Sequence, residues 1–169
     1  GKLILGICNG FQVLIKSGVL LAEGQEGPPA TLTWNNSGKY EDRWVRLRTD
    51  GQNCVFLRDI DQLELPVAHA EGKFVARGTQ ALSTLESGGQ LPLRYVGDGN
   101  GQVAYPENPN GSQANVAGVC DETGRVFGLM PHPERNIHPT HHPQWTRHRS
   151  DLPGDGFRIF ENAVQYFSE

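Results

Sequence analysis

Near its start the 169-residue chain reads Leu3-Ile4-Leu5-Gly6-Ile7, apolar at every position but the glycine. A strand wet on one face alternates; an unbroken apolar run suits a strand covered on both faces, the kind found inside parallel sheets. Directly afterwards Phe11, Leu14 and Ile15 fall at helical spacing within residues 10–17, and Gly18 stands where a helix C-cap belongs. A buried strand, a tight turn and a helix in that order demand a layered α/β architecture. Such a strand belongs in mid-sheet. Its place at the first residues predicts that strands preceding it in a complete domain are missing.

The remaining text fits an α/β domain carrying an inserted strand-rich region. Residues 23–40 are dense in Gly, Pro, Asn and Ser and read as mostly loop. Strands are expected at 44–48, at 54–57 after the turn-like residues 50–53, at 65–69, at 91–96, at 116–120 and at 125–130. The stretch 97–112 is a loop by composition. Phe157, Phe160, Val164 and Phe167 recur at helical intervals, with Asp155 placed to cap a closing helix. No repeat or internal linker divides the chain, so residues 1–169 are expected to form a single domain. The 37% hydrophobic content supports a core despite 21 Gly and 11 Pro.

Charge and composition narrow the partners. The net charge of −4, with no Lys/Arg stripe, argues against nucleic acid. No apolar run approaches the roughly 20 residues that span a bilayer. Three cysteines without paired spacing do not make a disulfide framework and fit a reducing, cytoplasmic compartment. No phosphate-cradling Gly-x-x-x-x-Gly-Lys-Ser/Thr is present, so any ATP chemistry must reside elsewhere.

Two segments carry chemistry. In Gly6-Ile7-Cys8-Asn9-Gly10, a cysteine flanked at two residues by glycines sits between strand and helix, the cysteine form of a nucleophile elbow. The turn is strained, and side chains at either glycine are expected to crowd the strand-to-helix junction. At a helix N-terminus, unpaired N–H groups favour a thiolate. The Asn9 N–H is in place to stabilise an oxyanion. Cys54 and Cys120 lie in apolar strands and read as structural. In Pro131-His132-Pro133-Glu134-Arg135, prolines frame a histidine, and an extended segment would turn His132 and Glu134 to the same side, as a base with its orienting carboxylate. The segment follows an apolar strand, at the strand end where open α/β sheets place their sites.

On these two motifs the chain resembles the class I, triad-type glutamine amidotransferases, a flavodoxin-like α/β fold with a mostly parallel central sheet. Within that class, His69-Ala70-Glu71-Gly72, Asn108-Pro109-Asn110-Gly111-Ser112, and Asn36 and Ser37 before Lys39-Tyr40 resemble the glutaminase subunits of phosphoribosylformylglycinamidine synthases of purine biosynthesis. The resemblance implies that Cys8 attacks the side-chain amide of glutamine, that His132 protonates the departing ammonia and then activates water, and that Glu134 orients His132. Gln12 matches a position near bound glutamine, and reads equally as a solvated helix polar group. His69 and Glu71 would lie behind the triad or face a partner. The implied partners are a small accessory subunit and a synthetase subunit that uses ATP and Mg, with no cofactor in this chain. Members of the family also carry, ahead of the elbow strand, further strands and a glycine-rich loop that donates a second oxyanion N–H; neither is in this sequence, so weak activity is expected of the chain alone.

Other readings stay open on the residues. Another thiol γ-glutamyl hydrolase would share the elbow, and a docking domain could keep the fold without the chemistry. His138, His141, His142 and His148 follow His132 closely and raise a metal-binding module, although no cysteine pair joins them and the surroundings read as a solvated loop.

Overall fold

The computed structural model describes residues 1–50, 53–97, 99, 103–147 and 152–168. Gly51 and Gln52 of the expected turn, part of the 97–112 loop, and His148 lie outside the described residues. In chain order the elements are β1 (Ile4–Ile7), α1 (Asn9–Lys16), β2 (Ala30–Trp34), β3 (Glu41–Thr49), β4 (Gln62–His69), β5 (Glu71–Ala76), α2 (Thr79–Ser87), β6 (Leu93–Val96), β7 (Val116–Cys120), β8 (Val126–Leu129) and α3 (Phe157–Gln165). A six-stranded sheet runs β1-β8-β7-β6-β3-β4, and β2 pairs with β5 in a separate ribbon.

The α/β class is as expected, but the described sheet is not mostly parallel. Only β1 and β8 run parallel; the ladders from β8 through β7, β6 and β3 to β4 are antiparallel. Between β7 and β8 a short connection imposes this. The turn between β7 and β8 is closed by Asp121, whose Oδ1 accepts from the N–H groups of Arg125 and Val126, and a tight turn returns the chain antiparallel. β1 stands at the edge of the described sheet rather than in its middle. Its one neighbour is β8, and Ile4 is 41% exposed.

Both faces of the sheet are covered. On one, Leu47, Leu65, Leu93, Phe127 and Leu129 pack with Ile159 of α3 and with a 3-10 turn at Val55–Leu57. On the other, Val119 and Met130 pack with Phe11 and Ile15 of α1, Leu32, Phe74 and Leu85. β8 serves both: Phe127 and Leu129 point to the first cluster, Val126 and Met130 to the second, as the period of two requires. Burying a side chain such as Phe11 contributes roughly 1.5–3 kcal/mol, which presses α1 onto β1 and β8.

Several local expectations are corrected. β2 lies within the segment read as loop, because its inward residues Ala30 and Leu32 are too few to show a period. Residues 54–57 form a 3-10 turn instead of a strand; a short buried apolar run has the same composition in either state. The closing helix forms, but the stripe of Phe157, Val164 and Phe167 faces out, and Ile159 and Asn162 are buried. Asn162 Nδ2 donates to the carbonyls of Phe56 and Arg58, which turns that side of α3 toward the sheet. Asp155 does not cap α3; its carboxylate accepts from Glu64 N–H at 2.7 Å. Among the described residues no helix is long and apolar enough to cross a membrane.

Candidate active site

The parallel β1–β8 ladder brings the two motifs together. Ile7 is in register with Leu129, and the next N–H, that of Cys8, donates to Leu129 O at 2.8 Å. Cys8 therefore leaves β1 beside the point where β8 passes into Met130-Pro131-His132. Its backbone takes φ 53° and ψ −105°, a region that costs an L-residue on the order of 1–3 kcal/mol and recurs at functional turns. Gln12 N–H donates to Cys8 O at 3.1 Å, which opens α1. The N–H of Asn9, the first residue of α1, has no intrahelical acceptor and is left for a ligand or solvent.

The two elbow glycines are not equivalent. A Cβ on Gly6 would lie 2.5 Å from Leu14 Cδ1 and 2.8 Å from the backbone of Gly10, so α1 rests on β1 only because that position is bare. A Cβ on Gly10 would meet nothing within 4 Å. The expectation of crowding on both flanks thus holds for Gly6 alone. Gly128 supplies a second bare spot, under the ring of Phe11.

His132 is anchored by its N–H, which donates to Pro66 O of β4 at 2.8 Å. Its Nδ1 pairs with Glu134 Oε1 at 2.6 Å. The segment does this by turning rather than extending. Residues Pro133–Arg135 form one 3-10 turn, with Arg135 N–H donating to His132 O at 3.2 Å. With Nδ1 engaged, the nitrogen left for the Cys8 thiol is Nε2, which is buried and, among the described residues, has no hydrogen-bond partner. Contact with the Cys8 thiol is the largest influence on His132 and, with the Glu134 bond, raises its pKa against the opposing effect of burial. A thiol, an imidazole and a carboxylate in line can pass a proton from sulfur to a leaving group while the imidazolium is stabilised from behind.

The end of β4 closes the other side. Ala68 O lies 3.8 Å from Cys8 Sγ. His69 is buried, and burial together with repulsion by the like charge of His132 lowers its pKa to about 4. Gln12 is not a solvated helix group: its Nε2 donates to Glu71 O at 2.6 Å and ties α1 to the β4–β5 junction. Glu71 thereby takes part through its backbone. Asn108, Asn110 and Ser112 are buried and structural in their contacts; Asn110 Nδ2 donates to Gly72 O at 2.8 Å and Ser112 Oγ accepts from Phe74 N–H at 2.9 Å, so their loop clasps β5. Asn36 joins it, its N–H donating to Asn110 O.

Sequence reading passed over Asn35, which is buried behind His69 and whose only signal was its place beside Asn36. Cys54 and Cys120 are buried thiols outside any disulfide, that of Cys120 donating to Gly89 O at 3.7 Å, and burial pushes that of Cys54 well up. In the histidine-rich loop His138 Nδ1 bonds Thr140 Oγ1, and His142 packs edge-on against Trp44. Among the described residues no cluster of His, Cys, Asp and Glu could hold a metal ion.

The family profile of the CobB/CobQ-like glutamine amidotransferase domain matches residues 1–167. The phosphoribosylformylglycinamidine synthase subunit PurQ of Dehalococcoides mccartyi is 45% identical over 168 residues, covering 98% of this chain and 64% of that protein. The PurQ subunit of Archaeoglobus fulgidus is 40% identical, covering 100% and 64%. The chain thus spans just under two thirds of the length of these relatives. It matches a chain of the Thermotoga maritima PurLQS structure with a TM-score of 0.71 and 32% identity, over 99% of this chain and 63% of that one. A Thermoplasma acidophilum protein described as a GMP synthase component shares the fold, at a TM-score of 0.52 and 14% identity, over 98% of this chain and 59% of that one. A cysteine elbow laid against a histidine–carboxylate turn by one parallel ladder, in a chain matched by the profile almost end to end, is accounted for in one way: the chain belongs to the CobB/CobQ-like glutamine amidotransferase domain family.

Proposed function

We propose that this chain carries the glutaminase site of a phosphoribosylformylglycinamidine synthase, as one amidotransferase domain. The observation that carries the reading is the line from Cys8 through His132 to Glu134, in a chain 45% identical to a PurQ subunit. Cys8 sulfur attacks the side-chain carbonyl of glutamine, with the Asn9 N–H directed at the developing oxyanion. His132 holds the thiol proton and delivers it to the amide nitrogen, so that the C–N bond breaks and ammonia leaves. The γ-glutamyl thioester then meets a water deprotonated by His132, which returns the thiol and releases glutamate. Glu134 keeps the imidazole in the tautomer that presents Nε2 to sulfur.

The ammonia is consumed by a synthetase partner that supplies ATP and Mg, and the domain works in the cytoplasm within that complex, which includes a small accessory protein. The experiment is glutamate release with mass spectrometry of the quenched protein. Glutamine is expected to leave a γ-glutamyl adduct on Cys8, and Cys8→Ala to lose both adduct and turnover. Turnover that survives Cys8→Ala would refute the assignment.

A further inference from the structure

His69 Nε2 is buried and, among the described residues, has no hydrogen-bond partner. An unsatisfied buried acceptor is costly and calls for a ligand group to complete it. That it is an acceptor, and not a donor, follows from Asn35. The Asn35 Nδ2 donates to Lys39 O at 3.0 Å and to His69 O at 2.8 Å, two carbonyls that accept only from N–H. Its Oδ1 therefore faces the other way, where it accepts from Gly72 N–H at 3.2 Å and meets His69 Nδ1 at 3.1 Å. Nδ1 must carry the hydrogen, so a neutral His69 presents a bare lone pair at Nε2.

The ring is also held from moving. A Cβ on Gly72 would come within 2.6–2.9 Å of three ring atoms, so the imidazole lies flat over that glycine. Gly72 O is gripped by Asn110, which also bonds the Tyr95 hydroxyl at 3.2 Å. His132 is close enough to His69 for its positive charge to oppose protonation of the His69 ring, and the preceding carbonyl, Ala68 O, lies 3.8 Å from Cys8 Sγ. Glu41, paired across the ladder with His69, and Glu71 are the acidic groups nearest along the packed strands.

Resting on the glutaminase reading, we propose that His69 is a positioning residue whose Nε2 accepts a hydrogen bond from the N–H of the substrate's carboxamide and then from the ammonia formed from it. It gives and takes no proton: sulfur bonds carbon, carbon releases nitrogen, and the completing proton comes from His132. A neutral acceptor is what a leaving ammonia needs, because a charged imidazolium would repel any ammonium and offer no lone pair.

The test compares glutamine with glutamate γ-methyl ester, whose leaving group has no N–H, in the full-length protein with its synthetase. His69→Phe is expected to lower kcat/KM for glutamine about tenfold more than for the ester. His69→Gln, which returns an acceptor near the Nε2 position, is expected to restore most of that ratio. Equal losses on both substrates, the result of a purely structural role or of contact with the α-amino group common to both, would overturn the proposal. Histidine 15N spectra of Cys8→Ala, with His69 intact, give a readout independent of how His69→Phe folds: glutamine should shift the unprotonated Nε2 signal, and an unmoved signal overturns the proposal. Failure of the wild type to cleave either substrate would instead refute the glutaminase reading itself.

Discussion

Gly6 and Gly10 look interchangeable in Gly-Ile-Cys-Asn-Gly, yet the structure predicts opposite outcomes for their replacement by alanine. At Gly6 the new methyl would lie 2.5 Å from Leu14 Cδ1 and 2.8 Å from the carbonyl carbon and oxygen of Gly10. Ordinary carbon contacts are about 3.5–4.0 Å, so α1 must rise off β1 by roughly 1 Å at its first turn. Leu14 can swing aside, but Gly10 backbone cannot, and overpacking of this sort costs about 1–3 kcal/mol. At Gly10 the methyl meets nothing within 4 Å and the position is helical, so alanine should gain about 0.5–1 kcal/mol through the unfolded chain. Urea unfolding checks both: the midpoint should fall for Gly6→Ala and hold or rise for Gly10→Ala, at unchanged slope. Because a shift of the helix moves the Asn9 N–H and Cys8 together, Gly6→Ala should also lose most turnover. A stable, active Gly6→Ala, or a Gly10→Ala destabilised as much as Gly6→Ala, would refute the steric account of the elbow.

His69, neutral when folded down to its pKa of about 4, takes up a proton on unfolding between that value and about 6.5. Stability should therefore fall by ~3 kcal/mol as pH drops from 6.5 to 4 and level off beneath that; unfolding curves across this window for wild type and His69→Gln should diverge, and parallel curves would contradict it. His132 has the opposite sign. Its raised pKa stabilises the fold below the ordinary histidine value and loses that contribution as pH climbs through the folded value. An NMR titration should show the His132 midpoint falling in Glu134→Gln and falling further in Cys8→Ala, since the thiol contact is the larger cause. Asn110→Ala removes the partners of Gly72 O and the Tyr95 hydroxyl; a loss of about 1–3 kcal/mol is expected by thermal or urea unfolding, with catalytic loss following from the loosened support of His69.

The candidate site was more legible than the layout. Cys8, His132 and Glu134 announce themselves because elbow and proline frame are local patterns, and the ladder joining Ile7 to Leu129 needs only two neighbouring apolar runs. The way His132 meets Glu134 was not legible: two residues apart fits an extended chain or one 3-10 turn, and the second occurs. Periodicity grouped Phe157, Phe160, Val164 and Phe167 on one stripe of a closing helix; α3 ends at Gln165, and a polar residue, Asn162, decides which side turns inward by capturing the carbonyls of Phe56 and Arg58. Asn35 was invisible for the same reason. Its effect lies in contacts with residues more than thirty positions away, and no local pattern encodes those.

In the proposed function the thiol of Cys8 releases ammonia for a partner's chemistry. The most direct test of that step is product formation by the assembled synthase containing Cys8→Ala, supplied in turn with glutamine and with ammonium. Synthesis should vanish with glutamine and proceed at the wild-type rate with ammonium. Glutamine-dependent synthesis persisting in Cys8→Ala would contradict the account.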